Sequence, residues 1–420
     1  MAQRQLPVLD EAWSTVVSCS HEAAEWQTNE ERLTVLRRLK VQTAGESHGR
    51  GMVATLTGVP AGVPFDAPYI DGFLARRQRG PGRSSRQRLE HDRVEVLAGV
   101  YRGRTSGAPL VLMVANVDDS LESRPPLHQP RPGHADLAGA QKFGDTDMRP
   151  VLERASARET AARVAAGALA SRMLLELQIE LLGHVRALGN VEAQAPKLAK
   201  TFEKLRRRRD ASPFACLDKA AEPAMAEAVA QASAAGDTLG GVMEVRALGV
   251  PPGLGSLEGF GSRLDARLAG ALMSIQAVKA VEVGEGLANA ALPGSQVHDE
   301  LRPPGPEGPR RRSNRAGGVE GGMSNGDELL VRAWMKPLSM LRSPLRSWDY
   351  ERGIASKAFF ERSDVTAVPA ASVVAEAMVA LVVADALLEK TGGDSLSEVR
   401  RSLSAHRRAV ARRFGARKGR

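Results

Sequence analysis

Residues 369–390 read PAASVVAEAMVALVVADALLEK and form the most hydrophobic run in the chain. A run of this length could cross a lipid bilayer, but it contains Glu376, Asp385 and Glu389, which are costly in a hydrocarbon interior. A Gly-Gly pair soon follows, which is typical of a helix end. We therefore predict a buried core helix of a soluble protein instead of a membrane span.

Two further helices are indicated by the residues that would begin them. Residues 156–159 have the Ser-x-x-Glu spacing of a capping box, and an alanine-rich run follows to about residue 177. The small alanine side chains would let the backbones of neighbouring elements approach closely. Ser262 and Asp265 resemble a second capped start, for a helix that runs to about residue 273.

The first third of the chain contains short segments in which apolar and polar residues alternate. Those at 39–43, 52–57, 93–99 and 109–115 indicate strands, and the last two indicate an antiparallel pair. Because strands come in runs and helices cluster, we predict an α+β fold instead of a doubly wound sheet. Residues 302–312, rich in Pro, Gly and Arg, are expected to form a mobile loop.

Three regions are expected along the 420 residues: an N-terminal extension of unknown role at 1–38, a catalytic domain at 39–396, and a flexible basic tail at 397–420. The tail holds nine Lys or Arg against one acid, whereas residues 1–38 hold four Arg against six acids. The pI of about 9.9 therefore reflects mainly the tail. A nucleic-acid binder that uses this tail is the competing class, whereas the enzyme hypothesis involves no nucleic acid.

Cysteine usage and the N-terminal sequence favour a reducing, cytoplasmic setting. Cys19 and Cys216 are the only cysteines, too few for a disulfide framework or a thiolate metal site, and we expect no metal. We find no basic segment followed by an apolar core, so neither a signal peptide nor membrane association is expected. Aromatic residues make up 4% of the chain, which argues against a base-stacking surface.

An arginine-rich segment and two glycine-flanked histidines point to a multiply anionic substrate that carries phosphate. Seven arginines lie between residues 76 and 93, and guanidinium groups match carboxylates and phosphates; a solvated basic loop is the alternative. His48 and His134 lie among small residues that suit a packed core poorly, so each imidazole can serve as a general acid near neutral pH. A structural histidine is the alternative at either position.

Three further segments are compatible with such a site. Residues 153–158, ERASAR, bring arginines to a capped helix start that favours a phosphate, although an ordinary capped helix is the alternative. Residues 313–326 hold five glycines among Val, Met, Asn and Glu, which favours an ordered loop close to a ligand or another chain over a flexible linker. Asp364 lies near Arg362, where a carboxylate would stay ionised and could accept a proton.

Residues 45–49, GESHG, also match the G-x-S-x-G nucleophile elbow of serine hydrolases. That elbow lies between a strand and a helix, with Asp and His later in the chain. Here the residues that follow, 53–57, indicate a strand instead of a helix. We therefore interpret Ser47 as a neighbour of His48 and not as a nucleophile.

Seven stretches, in this order between residues 39 and 392, resemble the chorismate synthase family. They are TAGESHG, RRQRGPGR, RPGHADLAGAQKFG, ERASARETAARVAAGA, MSIQAVKAVEVG, AGGVEGGMSNG and ERSDVTAVPAASVVAEAM. The resemblance implies a β-α-β sandwich in which antiparallel sheets enclose helices, assembled as a homotetramer. It also implies a carbon–oxygen lyase of the shikimate pathway of aromatic amino acid biosynthesis.

That lyase would convert 5-enolpyruvylshikimate 3-phosphate to chorismate by anti-1,4-elimination of phosphate and a ring proton. The resemblance implies reduced FMN as the cofactor. NADPH, or an external flavin reductase, would keep the flavin reduced.

The resemblance also implies roles for residues at matching positions. His48 would protonate the departing phosphate, His134 would protonate or stabilise the reduced flavin, and Asp364 would assist proton removal through the flavin. Arg77 and Arg83 would contact NADP or substrate anions, and Arg131 and Arg158 are the further expected substrate contacts. The expected cofactor contacts are Arg77, Arg83, Arg154, Ala155, Ser156, Gln276, Ala277, Gly321, Lys336, Pro337, Leu338, Ser339, Met340 and Arg362.

Three features depart from the family pattern. Residues 1–38 have no counterpart in the family, and the basic tail after residue 393 is atypical. Met340 stands where the family has a hydroxyl-bearing residue, which puts one flavin contact in question and leaves the others as expected.

Overall fold

The computed structural model describes residues 35–82, 91–194, 196, 201–361 and 364–416. Its strands are β1 (Lys40–Ala44), β2 (Gly51–Thr57), β3 (Glu95–Ala98), β4 (Val100–Tyr101), β5 (Arg104–Thr105), β6 (Leu110–Ala115), β7 (Glu180–Leu188), β8 (Val191–Glu192), β9 (Gly241–Leu248), β10 (Val278–Val283), β11 (Leu301–Gly305), β12 (Gly308–Arg311), β13 (Val319–Glu320), β14 (Met323–Ser324), β15 (Leu329–Met335), β16 (Arg346–Asp349) and β17 (Ile354–Lys357). Its α-helices are α1 (Ala67–Gln78), α2 (Asp136–Phe143), α3 (Arg149–Ala155), α4 (Thr160–Glu176), α5 (Glu203–Ala211), α6 (Glu222–Ala235), α7 (Leu264–Met273), α8 (Gly286–Asn289), α9 (Gly294–Val297), α10 (Val368–Thr391) and α11 (Leu396–Phe414). Three 3₁₀ turns are Leu121–Ser123, Ala157–Glu159 and Phe260–Ser262.

The first sheet is antiparallel and has the strand order β1-β2-β6-β3. On β2, the side chains of Met52, Ala54 and Leu56 are buried and those between them are partly exposed. This alternation is the period-two pattern of a sheet that covers a core with one face. The four strands predicted from alternating segments are confirmed, including the antiparallel pair β3 and β6.

The second sheet is also antiparallel and has the strand order β10-β15-β9-β7-β8. Helix α10 packs against β7 and β9 of this sheet, while α4 packs against β2 and β6 of the first sheet. The two helices also pack against each other, so the sheets enclose a helical layer. The predicted α+β fold, a β-α-β sandwich of antiparallel sheets around helices, is confirmed.

The helical layer is tightly packed because small residues lie where α4 meets α10. A Cβ atom built on Gly167 would fall 2.4 Å from the Cβ of Ala377, closer than two side chains can approach. Ala161, Ala165 and Ala168 of α4 are likewise buried. The predicted close approach of an alanine-rich helix to its neighbour is confirmed.

Helix α10 is the buried core helix predicted from residues 369–390. It is the candidate membrane span among the described residues by length and composition, but 94% of its most apolar window is buried inside the protein. Its charged residues are paired in that interior: Glu376 Oε2 accepts hydrogen bonds from Arg76 Nη1 at 2.9 Å and Arg209 Nη1 at 3.2 Å. The pairing offsets the desolvation of the carboxylate, as buried charges require.

Asp385 of α10 connects the central helix to the residues that precede β1. Its carboxylate accepts the backbone N–H groups of Arg37, Arg38 and Leu39 at 2.9, 2.7 and 2.6 Å, and it pairs with the buried Arg267 of α7. The described residues 35–38 therefore contact the catalytic domain, although the expected boundary lies after residue 38. Residues 1–34 of the expected extension lie outside the described residues.

The two predicted helix starts differ from the structure in detail. Ser156 does accept a hydrogen bond from the backbone N–H of Arg158, but it starts a 3₁₀ turn that leads into α4. Glu159 contacts Thr43, Arg163 and Gln276 instead of closing a capping box. Ser262 bonds to Gly259, so α7 begins without a side-chain cap. Distant partners compete for these side chains, and local spacing cannot reveal them.

The prediction of a flexible tail is wrong for the described residues 397–416. Ser395 and Glu398 form a capping box, and α11 buries Leu396, Val399 and Leu403. These positions lie on one face of a helix, so the tail is amphipathic as well as basic. The expected mobile loop at 302–312 is also wrong, because β11 and β12 form an antiparallel hairpin there that contacts α11.

The glycine-rich segment 313–326 is an ordered loop, as predicted. It contains the β13–β14 hairpin. Gly317 has a φ of +62°, and a Cβ atom at this position would lie 2.3 Å from the backbone nitrogen of Gly284. Here glycine therefore allows close approach to the protein's own backbone.

Candidate active site

The loop at 45–49 is a connection between β1 and β2. Gly45 has a φ of +110°, and a Cβ atom there would lie 2.2 Å from the backbone oxygen of Gly51. The side-chain amide of Asn116 donates to the carbonyl oxygens of Glu46, Ser47 and Gly49. Because a strand follows the loop, the geometry excludes the strand-to-helix nucleophile elbow. This loop instead presents His48.

His48 is 4% exposed and is held by the buried carboxylate of Glu153 on α3. His48 Nδ1 lies 3.0 Å from Oε1 and 2.9 Å from Oε2, and the His48 backbone N–H donates to Oε2 at 3.0 Å. Burial raises the pKa of Glu153. The hydrogen bonds to His48 and the nearby positive charges have the larger, opposite effect, so the pKa of Glu153 lies below its ordinary value. Glu153 is therefore ionised at neutral pH.

A second carboxylate lies on the other side of the His48 ring. His48 Nε2 is 3.8 Å from Asp118 Oδ2, and that same oxygen accepts a hydrogen bond from Arg124 Nη2 at 2.9 Å. Arg124 also pairs with Glu361. This chain of contacts links the His48 loop to Glu361. The hydrogen bond from the Ser120 hydroxyl is the main cause of the lowered pKa of Asp118.

His134 has a closely similar arrangement. Its Nδ1 lies 2.6 Å from Oδ1 of Asp136, which is fully buried. The same carboxylate accepts Arg131 Nε and Nη2, each at 2.8 Å. Burial raises the pKa of Asp136, but the hydrogen bonds from Arg131 and His134 outweigh it and lower the net pKa well below the ordinary value. Each candidate histidine therefore has an ionised, buried carboxylate at Nδ1.

Two of the predicted substrate arginines meet at one buried carboxylate. Arg77 at the end of α1 pairs with Asp92, and Arg158 Nη1 donates to the other oxygen of Asp92 at 2.6 Å. Arg158 also donates to Asn116 and to the carbonyl of Ala115. Arg131 is similarly buried, against Asp136. All three guanidinium groups are thus oriented by internal partners.

Several of the predicted cofactor residues lie near the ends of β1, β10 and β15. Exposed Arg154 donates to the Thr43 carbonyl at 2.9 Å and to its hydroxyl at 3.0 Å. Thr43 and Gln276 both donate to Glu159, at 2.5 and 3.0 Å. Ala277 accepts the Lys336 backbone N–H at 2.9 Å.

Three features of these residues fit a bound anionic group with polar ring edges. The Gln276 Oε1 atom is buried without a hydrogen-bond partner among the described residues. Ala277 adopts a φ of +66°, a conformation that is strained for alanine and common at ligand sites. Burial, and then the charge of Lys279, lowers the pKa of Lys336, and a bound anion beside the two lysines would favour their charged forms.

The Lys336 ammonium also lies beside the His134 loop, since a Cβ atom on Gly133 would be 3.6 Å from Lys336 Nζ. In the segment that follows, the Leu338 carbonyl accepts the Thr238 hydroxyl at 2.7 Å. Pro337 is exposed, whereas Ser339 and Met340 are partly buried. The hydroxyl of Ser156 donates to the Ser47 hydroxyl at 3.1 Å, and Ala155 lies between Arg154 and Ser156.

The contacts within the described chain do not connect the remaining predicted residues to these cofactor residues. Gly321 lies in the β13–β14 hairpin, and the side chain nearest to its open face is Leu257. Asp364 precedes Val365, which joins Gly82 and Leu239 through backbone hydrogen bonds. Arg83 and Arg362 lie outside the described residues.

The acidic half of this site was not predicted from the sequence. Glu153, Asp136, Asp92 and Asp118 each contact a predicted histidine or arginine. Asp136 and Glu153 lie within motifs that were singled out for their basic residues. A search for acids near the predicted cations would have found Asp136, two residues from His134, but not Glu153, which is 105 residues from His48.

Comparisons with known proteins agree with one another. The family model described as chorismate synthase matches residues 39–388. A curated chorismate synthase from Acidothermus cellulolyticus is 51% identical over 387 residues, which cover 88% of this chain and 98% of the relative. One from Streptomyces coelicolor is 49% identical over 390 residues, with 88% and 98% covered. A solved crystal structure of chorismate synthase is 39% identical, with 90% and 99% covered and a TM-score of 0.74.

Proposed function

Because the chain belongs to the chorismate synthase family and is a lyase, we propose that it converts 5-enolpyruvylshikimate 3-phosphate to chorismate with reduced FMN. The reaction is an anti-1,4-elimination of phosphate and a ring proton, in aromatic amino acid biosynthesis. The observation that carries the proposal is the pair of histidines that each face a buried carboxylate through Nδ1. Expelling phosphate calls for such an acid beside fixed positive charge.

His48 is the acid for the departing phosphate in this proposal. The carboxylate of Glu153 orients the ring through Nδ1, so Nε2 is the atom that can deliver a proton. His134 has the same arrangement with Asp136, and its loop lies beside Lys336, so it can stabilise a bound reduced flavin. Asp364 assists removal of the ring proton.

The arginines bind the substrate's phosphate and two carboxylates. Asp92 accepts hydrogen bonds from both Arg77 and Arg158, so one carboxylate holds the two guanidinium groups close together. Arg131 and Arg83 add further positive charge. Such preorganised cations stabilise a leaving phosphate without having to reorient during the reaction.

Arg154, Ala155, Ser156, Gln276, Ala277, Gly321, Lys336 to Met340 and Arg362 are the proposed flavin contacts. The unpartnered oxygen of Gln276, the lysine pair and exposed Arg154 support this assignment. When bound, reduced FMN supplies electron density as the carbon–oxygen bond of the substrate breaks. NADPH near Arg77 and Arg83, or an external reductase, keeps it reduced. We further propose a homotetramer that acts in the cytoplasm.

The test is an anaerobic assay of the purified protein with 5-enolpyruvylshikimate 3-phosphate and FMN. With dithionite as reductant, phosphate and chorismate should appear in equal amounts, and with oxidised FMN neither should form. Equal turnover with oxidised flavin would contradict the proposal. A parallel assay with NADPH as sole reductant decides whether the protein reduces its own flavin.

A further inference from the structure

Glu153 is attached to the His48 loop by more contacts than a single ion pair requires. Its backbone carbonyl accepts the Ser47 N–H at 3.1 Å, and its carboxylate accepts the His48 N–H at 3.0 Å. Both carboxylate oxygens also lie within 3.0 Å of His48 Nδ1. The side chain is completely buried. Glu153 of α3 therefore sets the orientation of the His48 ring and how deeply the ring is buried.

The chemistry of a carboxylate then decides which ring nitrogen carries hydrogen. An ionised carboxylate can only accept hydrogen bonds. Because Glu153 accepts at His48 Nδ1, this nitrogen must be protonated, and in a neutral ring Nε2 must be the unprotonated atom. Among the described residues, the charged groups at the dyad include Arg149, 3.5 Å from Glu153, and Asp118, 3.8 Å from Nε2.

Helix α3 also contacts β1, the strand that precedes the His48 loop. Arg154, the next residue, donates to Thr43 of β1, while Glu153 holds the loop that follows β1. Helix α3 therefore fixes the acid and a proposed flavin contact with two adjacent residues. A displacement of α3 would move both groups together.

We propose that Glu153 is the positioning residue for His48: it fixes Nδ1 as a hydrogen-bond donor, so that the charged imidazolium delivers its proton from Nε2 and becomes the neutral ring with hydrogen on Nδ1. The proposal rests on the assignment of His48 as the acid for the leaving phosphate. A purely structural role, in which Glu153 only attaches α3 to the loop, is the competing explanation. The two differ in whether Glu153 acts through His48.

A double-mutant cycle separates these explanations. Glu153→Gln preserves the shape but leaves one acceptor oxygen for two donors, so we expect kcat to fall by about 100-fold or more, with KM within about threefold. Added to His48→Ala, the same change should alter kcat by less than about twofold. Losses that multiply in the double variant would overturn the proposal.

Glu244→Gln is the matched control, because Glu244 is a buried glutamate that faces His184 in the second sheet. It should lower thermal stability and leave kcat within about twofold of wild type. If Glu244→Gln lowers kcat as much as Glu153→Gln does, loss of any buried Glu–His pair explains the effect and the proposal fails.

Solid-state ¹⁵N NMR on the histidine-labelled wild type determines the tautomer of His48. This test does not require that a Glu153 variant folds. His48→Asn assigns the His48 signals among the eight histidines. A protonated Nδ1 and an unprotonated Nε2 in the neutral ring are expected, and the opposite tautomer would overturn the proposal. If the wild type fails to convert the substrate, the proposed function fails. The NMR measurement still shows which nitrogen of His48 carries the proton.

Discussion

Gly167 of α4 lies directly against Ala377 of α10, with no room for a side chain between the two helices. A Cβ atom at residue 167 would be 2.4 Å from the Ala377 Cβ and 2.5 Å from its carbonyl oxygen. The contact joins the two helices at the centre of the sandwich. How closely the two helices can pack thus depends on this pair of small residues.

Gly167→Ala should therefore destabilise the protein by about 1–3 kcal/mol, the usual cost of overpacking, and lower its thermal midpoint. Gly72→Ala is the control, since a Cβ atom there meets nothing within 4 Å and α1 is exposed at this point. The control should be neutral or slightly stabilising, because alanine favours helix over glycine. Equal midpoints for the two variants would show that the helices can separate without cost.

Asp385→Ala should detach the residues that precede β1. The change leaves Arg267 without its buried partner and removes the acceptor of three backbone N–H groups, at a cost of about 3–5 kcal/mol. Hydrogen exchange at Arg37, Arg38 and Leu39 should accelerate. Glu203→Gln, in an exposed ion pair with Arg207, should change the stability by less than about 1 kcal/mol. Unchanged exchange in Asp385→Ala would refute this role.

Glu244 should make stability depend on pH. Burial raises its pKa, but His184 and Arg332 outweigh this and lower it from 4.5 to about 2. A lowered folded-state pKa stabilises the fold above the unfolded pKa, and the contribution is lost as pH falls from about 4.5 towards 2. Glu244→Gln should therefore lower the thermal midpoint at pH 7, and its difference from wild type should shrink below pH 4.5. A constant difference across this range would contradict the linkage.

His48→Ala and His134→Ala should each lower turnover by about 10²- to 10⁴-fold, the usual contribution of a general acid, while FMN still binds. Turnover is measured as chorismate formation and flavin binding by fluorescence quenching. His298→Ala, at an exposed residue away from the site, is the control and should keep wild-type turnover. Wild-type rates in both site variants would refute the acid roles.

Truncation after Gly393 should lower stability and retain most turnover at 25 °C. The deletion removes buried Leu396, Val399 and Leu403, and Arg407, which donates to the Leu177 carbonyl at the end of α4. Leu403→Ala alone should cost about 2–5 kcal/mol. If truncation instead abolished the main activity of a protein that stays folded, the tail-driven nucleic-acid alternative would be favoured.

The basic tail shows how composition can mislead when pattern is ignored. Its net charge suggested a frayed end, yet Leu396, Val399 and Leu403 recur at the spacing of one helix face and a capping box precedes them. The pattern that indicates α11 is therefore local, and it can be recognised in the sequence. The hairpin at β11 and β12 was less accessible, because its prolines and arginines argue against a strand and its partner α11 is distant in sequence.

Local pattern in the sequence determined the central helix, the strands of the first sheet and the loops that carry His48 and His134, since periodicity and glycine act over a few residues. Only the tertiary structure decided that Glu153 holds His48, 105 residues away, and that Asp92 meets Arg158, 66 residues away. The physical reason is that a buried charge must find its partner in space. No spacing along the chain encodes that meeting.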